Sequence, residues 1–127
     1  MRKISKLAAR ALIEGREFRR DNTSVTHNKD PHDPLAMHMQ LRLHGNLIAD
    51  WTNMLTTREK LRITLAGWPT VTTRERLNTL LTEICRPEGF WQRNHEQYYG
   101  TLKNNRVVES SEWIIVPTVC LQGLVNR

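Results

Sequence analysis

Ala66-Gly67-Trp68-Pro69-Thr70-Val71-Thr72-Thr73-Arg74-Glu75-Arg76-Leu77-Asn78 reads as a strand end, a tight turn and a helix start. Gly67 accepts backbone angles that a β-carbon resists, and Pro69 pushes Trp68 out of the helical region. Thr72 and Glu75, three residues apart, form a capping-box pattern in which each side chain reaches the other's backbone N–H. Leu77, Leu80, Leu81 and Ile84 then share one helical face. The spacing predicts a helix over 73–85 that stops before Arg86-Pro87-Glu88-Gly89.

Outward from this stretch the pattern changes to a period of two. Leu61, Ile63 and Leu65 alternate with Arg62, Thr64 and Ala66, which predicts a half-buried strand. Over 36–44 the alternation is strict: Met37, Met39, Leu41 and Leu43 on one face, His38, Gln40, Arg42 and His44 on the other. Gly45-Asn46 suits a turn or bulge before Leu47-Ile48-Ala49 resumes as a strand. Thr23 to Thr26 reads as a short strand, and His27 to Pro34 as a polar, mobile loop with two prolines. Residues 90–93 and 96–99 read as a hairpin around Asn94-His95, and Arg106–Glu109, Trp113–Val116 and Val119–Leu124 supply the last apolar segments. At the other end, Ile4, Leu7, Ala8, Ala11 and Leu12 make the apolar stripe of a helix predicted over 3–20, with Gly15 as its weak point. The fold expected is a single α+β domain over 1–127: an antiparallel sheet of about five to seven strands with two helices packed on one face.

Charge is concentrated. The formal net charge is +6, and residues 1–20 hold Arg2, Lys3, Lys6, Arg10, Arg16, Arg19 and Arg20 against Glu14 and Glu17 alone. The rest of the chain is close to neutral. No apolar run approaches the ~18 residues of a membrane-spanning helix. Arg10, Glu14, Arg16 and Glu17 also interrupt any apolar core of a signal peptide, so a cytosolic protein is expected. Cys85 and Cys120 have no metal or redox spacing, and two buried reduced thiols are expected, with a disulfide as the alternative.

No constellation of catalytic residues is legible. None of Ser5, Ser24, Ser110 and Ser111 sits on a nucleophile elbow, and Cys85 falls at the helix end whose dipole disfavours a thiolate. A small hydrolase is thus a third reading without residues to carry it. His27, Asp30, His32 and Asp33 cluster in the polar loop but lack zinc-site spacing, so neither metal nor cofactor is expected. The predicted helix N-terminus offers amides near Thr70, Thr72, Thr73 and Arg74, yet it has no glycine-rich cradle for a phosphate.

Leu41-Arg42-Leu43-His44-Gly45-Asn46-Leu47-Ile48-Ala49, the stretch Ala66 to Asn78, and Gly89-Phe90-Trp91-Gln92-Arg93 with Gln97-Tyr98-Tyr99-Gly100 bear a family pattern. In that order they resemble small proteins of bacteriophages and mobile elements with the pattern LHGN-x-IA … AGW-x-T-x-TTR-x-RLN followed by an aromatic hairpin. Asn22-Thr23-x-Val25 is similar to that family's first strand. The resemblance covers roughly residues 8–100, leaves 103–127 outside, and carries over no catalytic residue. It implies a phage-type accessory protein in the cytoplasm of the infected bacterial host.

Two modes of non-catalytic binding follow. In the first, Arg2, Lys3, Lys6, Arg10, Arg16, Arg19 and Arg20, helped by Arg42 and Arg74, contact DNA or RNA phosphates. In the alternative, an inhibitor or adaptor binds a host or viral protein through Phe90, Trp91, Tyr98 and Tyr99 and the C-terminal segment. Trp51, Trp68, Trp91 and Trp113 are many large aromatics for this length, and most are expected in the core.

Overall fold

The computed structural model describes residues 3–54, 56 and 58–118. Arg2, Cys120 and the apolar segment Val119–Leu124 lie outside the described residues. Within them the order is α1 (Lys3–Glu14), β1 (Phe18–Arg20), β2 (Thr23–Lys29), β3 (Met37–Leu43), β4 (Asn46–Thr52), β5 (Lys60–Ile63), α2 (Val71–Glu83), β6 (Gly89–Arg93), β7 (Glu96–Gly100), β8 (Asn105–Val108) and β9 (Ile114–Val116). The fold is α+β, with two antiparallel sheets: six strands in the order β1-β2-β3-β4-β5-β9, and three in the order β6-β7-β8.

The expected alternation holds in the large sheet. Val25, Leu41, Ala49 and Ile63 stand in one cross-strand row with Ile114, and Met39, Trp51 and Leu61 in the next with Val116. All of them are buried beneath the helices. The β3–β4 hairpin turns at His44-Gly45, both with positive φ (52° and 80°), the conformation of a two-residue type I′ turn. One extra residue, Ile48, bulges from β4 opposite the Leu41/Arg42 step, so that Ile48 and Ala49 are both buried. The hairpin at Asn94-His95 (φ 52° and 67°) lies where the sequence placed it.

Helix α2 begins two residues earlier than expected, and its cap differs. Thr70 is the N-cap, accepting from the Thr73 N–H at 3.1 Å. Glu75 does not close a capping box with Thr72; it accepts instead from Ser5 Oγ on α1 at 2.9 Å. The apolar face was legible, since Leu77, Leu80, Leu81 and Ile84 are all buried. Full burial of side chains this size is worth roughly 1.5–3 kcal/mol each.

Helix α1 stops at Glu14 rather than running to residue 20. Gly15 takes φ +70°, its N–H bonds to the Leu12 carbonyl, and the Arg16 N–H reaches back to Ala11 at 3.0 Å. This Schellman closure frees the chain to form the edge strand β1, so Arg19 and Arg20 are strand residues. The β2 strand likewise extends to Lys29, shortening the polar loop. Cys85 is exposed, not buried, in a left-handed residue (φ 63°) just past α2. Of the four tryptophans only Trp51 is fully buried, its indole N–H donating to Glu59 at 2.8 Å.

The small sheet is attached through α2. Asn78 Nδ2 donates to the Phe90 carbonyl (2.9 Å), and the Phe90 N–H donates to Asn78 Oδ1 (2.7 Å), so one amide completes the edge of β6. At the same end of this sheet Gly100, paired with Gly89, has φ +136°, and a β-carbon there would collide with the Asn104 carbonyl. Replacing Asn78 by Ala leaves two backbone groups of Phe90 unpaired, with an expected cost of about 1–3 kcal/mol. Thermal unfolding followed by tryptophan fluorescence checks this; an unchanged midpoint would show that Asn78 does not carry the attachment.

Candidate functional site

The basic N-terminal residues divide between two elements. On α1, Leu12 points into the core, and Lys3, Lys6 and Arg10 lie about 180–240° around the helix from it, at 3.6 residues per turn. All three are exposed, and none makes a hydrogen bond or ion pair among the described residues. They form one stripe about 10 Å long, from a rise of 1.5 Å per residue. Arg16 follows the helix end and pairs with Glu14 at 3.2 Å; both are half exposed, and such a pair contributes little. Arg19 and Arg20 are exposed on β1 and, as adjacent strand residues, point to opposite faces.

What holds α1 in this orientation is a buried charge. Arg76, 3% exposed on α2, donates from Nη1 to Ser5 Oγ on α1 (2.6 Å) and from Nε to Thr23 Oγ1 on β2 (3.1 Å). The Ser5 hydroxyl donates in turn to Glu75, whose Oε1 lies 3.7 Å from the guanidinium. Ala8, Ala9 and Ala11 are buried beside Leu12, and these small side chains let α1 lie close to its neighbours.

Arg42 and Arg74 stand elsewhere. Arg42 lies on the sheet face opposite the helices and donates to Thr26 Oγ1 (3.1 Å) and Gln40 Oε1 (2.9 Å). Arg74 straps the start of α2 to the small sheet: its Nη1 donates to the Pro69 carbonyl (2.8 Å), Gln97 (3.0 Å) and Gln92 (3.2 Å). The first turn of α2 borders a cleft of about 520 Å³ lined by Leu43, Leu65 and Trp68, but the Thr70 and Thr73 hydroxyls there bond each other at 2.9 Å.

The aromatic hairpin also splits. Phe90 and Tyr99 face inward with ring centroids 4.9 Å apart, and burial, with Glu88 nearby, pushes the Tyr99 phenol up to about 12. Trp91 and Tyr98 face outward, stacked at 5.8 Å with planes 9° apart, beside half-exposed Val107 on β8.

One cluster was not visible in the sequence. On the uncovered sheet face His38 bridges two carboxylates: Nδ1 to Asp50 Oδ1 (2.8 Å) and Nε2 to Asp30 Oδ2 (2.9 Å). Asp50, 2% exposed, also takes Arg62 Nη2 at 2.7 Å, and the Arg62 guanidinium lies 4.7 Å from the Trp113 ring centre. Two donors on one ring require the imidazolium. Burial works against that charge, but the hydrogen bonds to Asp30 and Asp50 outweigh it and raise His38 above 6.5. The His38 contact, then the His32 N–H, hold Asp30 below the usual carboxylate range. With His38 protonated, its charge and that of Arg62 balance the carboxylates of Asp30 and Asp50. Alternating polarity along β3 showed that His38 shares a face with Gln40 and Arg42, but nothing local marked Asp50, twelve residues on, as its partner.

The stability that His38 contributes is complete below about pH 6.5 and is lost as pH rises through the ring's raised value in the folded protein. Asp30 contributes above about pH 3.8, and its share is lost as pH falls through its lowered value. The urea midpoint of the parent is therefore expected to fall relative to His38→Gln between pH 6.5 and 9. A constant difference over that interval would mean that the ring is not held as the cation.

No curated protein and no solved structure matches the chain. No helix among the described residues is long and apolar enough to cross a membrane. A family model described as Kyanoviridae Gp96 protein matches residues 1–119, nearly the whole length and beyond the stretch that carried the phage resemblance. The chain belongs to this phage protein family.

Proposed function

We propose that this phage accessory protein acts by non-catalytic binding to nucleic acid in the cytoplasm of the infected bacterial cell, docking backbone phosphates along α1. The observation that carries the reading is the stripe Lys3, Lys6 and Arg10: three exposed cations in register, with no intramolecular partner among the described residues. Arg16 and Arg20 extend positive charge from the end of that helix toward the edge strand, whereas Arg19 lies on the other face of β1. Contacts of this kind position a protein on a nucleic acid without reading its sequence. Arg42 and Arg74 stand apart from the stripe and belong to other surfaces.

The alternative reading, an adaptor for a host or viral protein, has one observation in its favour. Trp91 and Tyr98 stack outward beside Val107 on the small sheet, where a partner could cover them. Phe90 and Tyr99 face the interior and serve that reading less well.

Titration of a mixed-sequence oligonucleotide at two salt concentrations separates the two readings. Three to five phosphate contacts predict a log–log salt slope of roughly −2 to −4.5. The triple variant Lys3→Glu, Lys6→Glu, Arg10→Glu is expected to bind at least about tenfold more weakly at low salt, with an unchanged thermal midpoint because all three residues are exposed. No binding by the parent at low salt, or equal binding by the variant, would remove this reading.

A further inference from the structure

We infer that the uncovered face of the six-stranded sheet is a second nucleic-acid-binding surface, so that one molecule joins two nucleic-acid segments on opposite sides of the sheet. The inference rests on the nucleic-acid reading above and adds to it a second surface and a bridging role.

Both helices pack on one face of the sheet, and the side chains of the other face are exposed or half-buried except for Asp50. Register assigns the side chains there. Arg19, Ser24 and Arg42 form one cross-strand row; Asn28, His38, Thr52 and Lys60 form another; Thr26, Gln40, Asp50 and Arg62 lie between them. Among these the single carboxylate is Asp50, which is 2% exposed and closed off by His38 and Arg62. Asp30 at the margin is bound to the other side of His38. With those four charges paired, Arg19, Arg42 and Lys60 give this face a cationic excess, with Asp21 at its margin and the exposed Ile115 and Trp113 beside Arg62. Arg42 uses one hydrogen bond from each terminal nitrogen and keeps other N–H donors free for a phosphate oxygen. Arg19, Arg42 and His44 also line a cleft of about 320 Å³ between two hairpin turns, which Asp21 enters as the one carboxylate.

Charge complementarity therefore selects a polyanion for this face. The α1 stripe cannot serve the same segment, because Lys3, Lys6 and Arg10 point away from the sheet on its other side. Two cationic surfaces that face apart give a connector rather than one continuous track.

A bead assay tests this with the full chain. A biotinylated mixed-sequence single-stranded oligonucleotide is immobilised, protein is bound at low salt, and a second, fluorescent oligonucleotide is added, with light scattering reporting the oligomeric state. The parent is expected to capture the second strand. Arg19→Glu, Arg42→Glu, Lys60→Glu is expected to keep bead binding through α1 while capture falls at least about tenfold. Arg19→Gln, Lys60→Gln touches only exposed residues, cannot unfold the sheet, and is expected to weaken capture as well. Bead binding without capture by the parent would overturn the second surface alone. Undiminished capture by both variants would also overturn it, since paired molecules using α1 would then account for bridging. Absence of bead binding by the parent would remove the nucleic-acid reading and this inference together.

Discussion

A guanidinium that is almost completely buried ties three elements of this protein to one another. Arg76 reaches Ser5 on α1 and Thr23 on β2, while its neighbour Glu75 accepts a hydrogen bond from the Ser5 hydroxyl. Withdrawing such a charge from water costs several kcal/mol unless its donors are met, and truncating it would leave polar groups stranded in the core. The knot sets the rotation of α1 about its own axis. With Ser5, Ala8, Ala9 and Leu12 fixed inward, Lys3, Lys6 and Arg10 have nowhere to go but outward. The external charge is thus a consequence of an internal one.

The same sorting operates elsewhere in the molecule. Carboxylates that could offset positive charge are drawn into internal pairs: Asp30 and Asp50 with His38 and Arg62, Glu88 with Arg86, Glu112 with Arg106. Cations in excess of these pairs remain at the surface. A formal charge of +6 on a chain of 127 residues is modest, but its placement is not even. Effective binding to a polyanion depends on such local excess more than on the total.

Much of the fold was legible because it is written in local patterns. The strict alternation over β3, the leucine face of α2 and the two-residue turn at Asn94-His95 each need only a few neighbouring residues to be recognised. The misjudged features depend on contacts distant in sequence. Thr72 and Glu75 satisfy the capping pattern, yet Glu75 is drawn away by Ser5, seventy residues upstream, and Thr70 caps the helix in its place. Gly15 was a visible weak point, but only the pairing of Phe18–Arg20 with β2 makes it an end. The candidate site was legible as a count of cations and not as a surface: periodicity placed Lys3, Lys6 and Arg10 off the apolar stripe, whereas the strand geometry that parts Arg19 from Arg20 and sends Arg42 to the opposite face was hidden.

The central claim is that α1 presents its cations to a nucleic acid, and lysine footprinting addresses it most directly. The protein would be acylated briefly with and without a mixed-sequence oligonucleotide, and each lysine read by mass spectrometry. The account predicts strong protection of Lys3 and Lys6, with Lys103, exposed in the loop between β7 and β8, modified as before. Equal modification of Lys3 and Lys6 in both samples, or protection of Lys103 to the same degree, would contradict it.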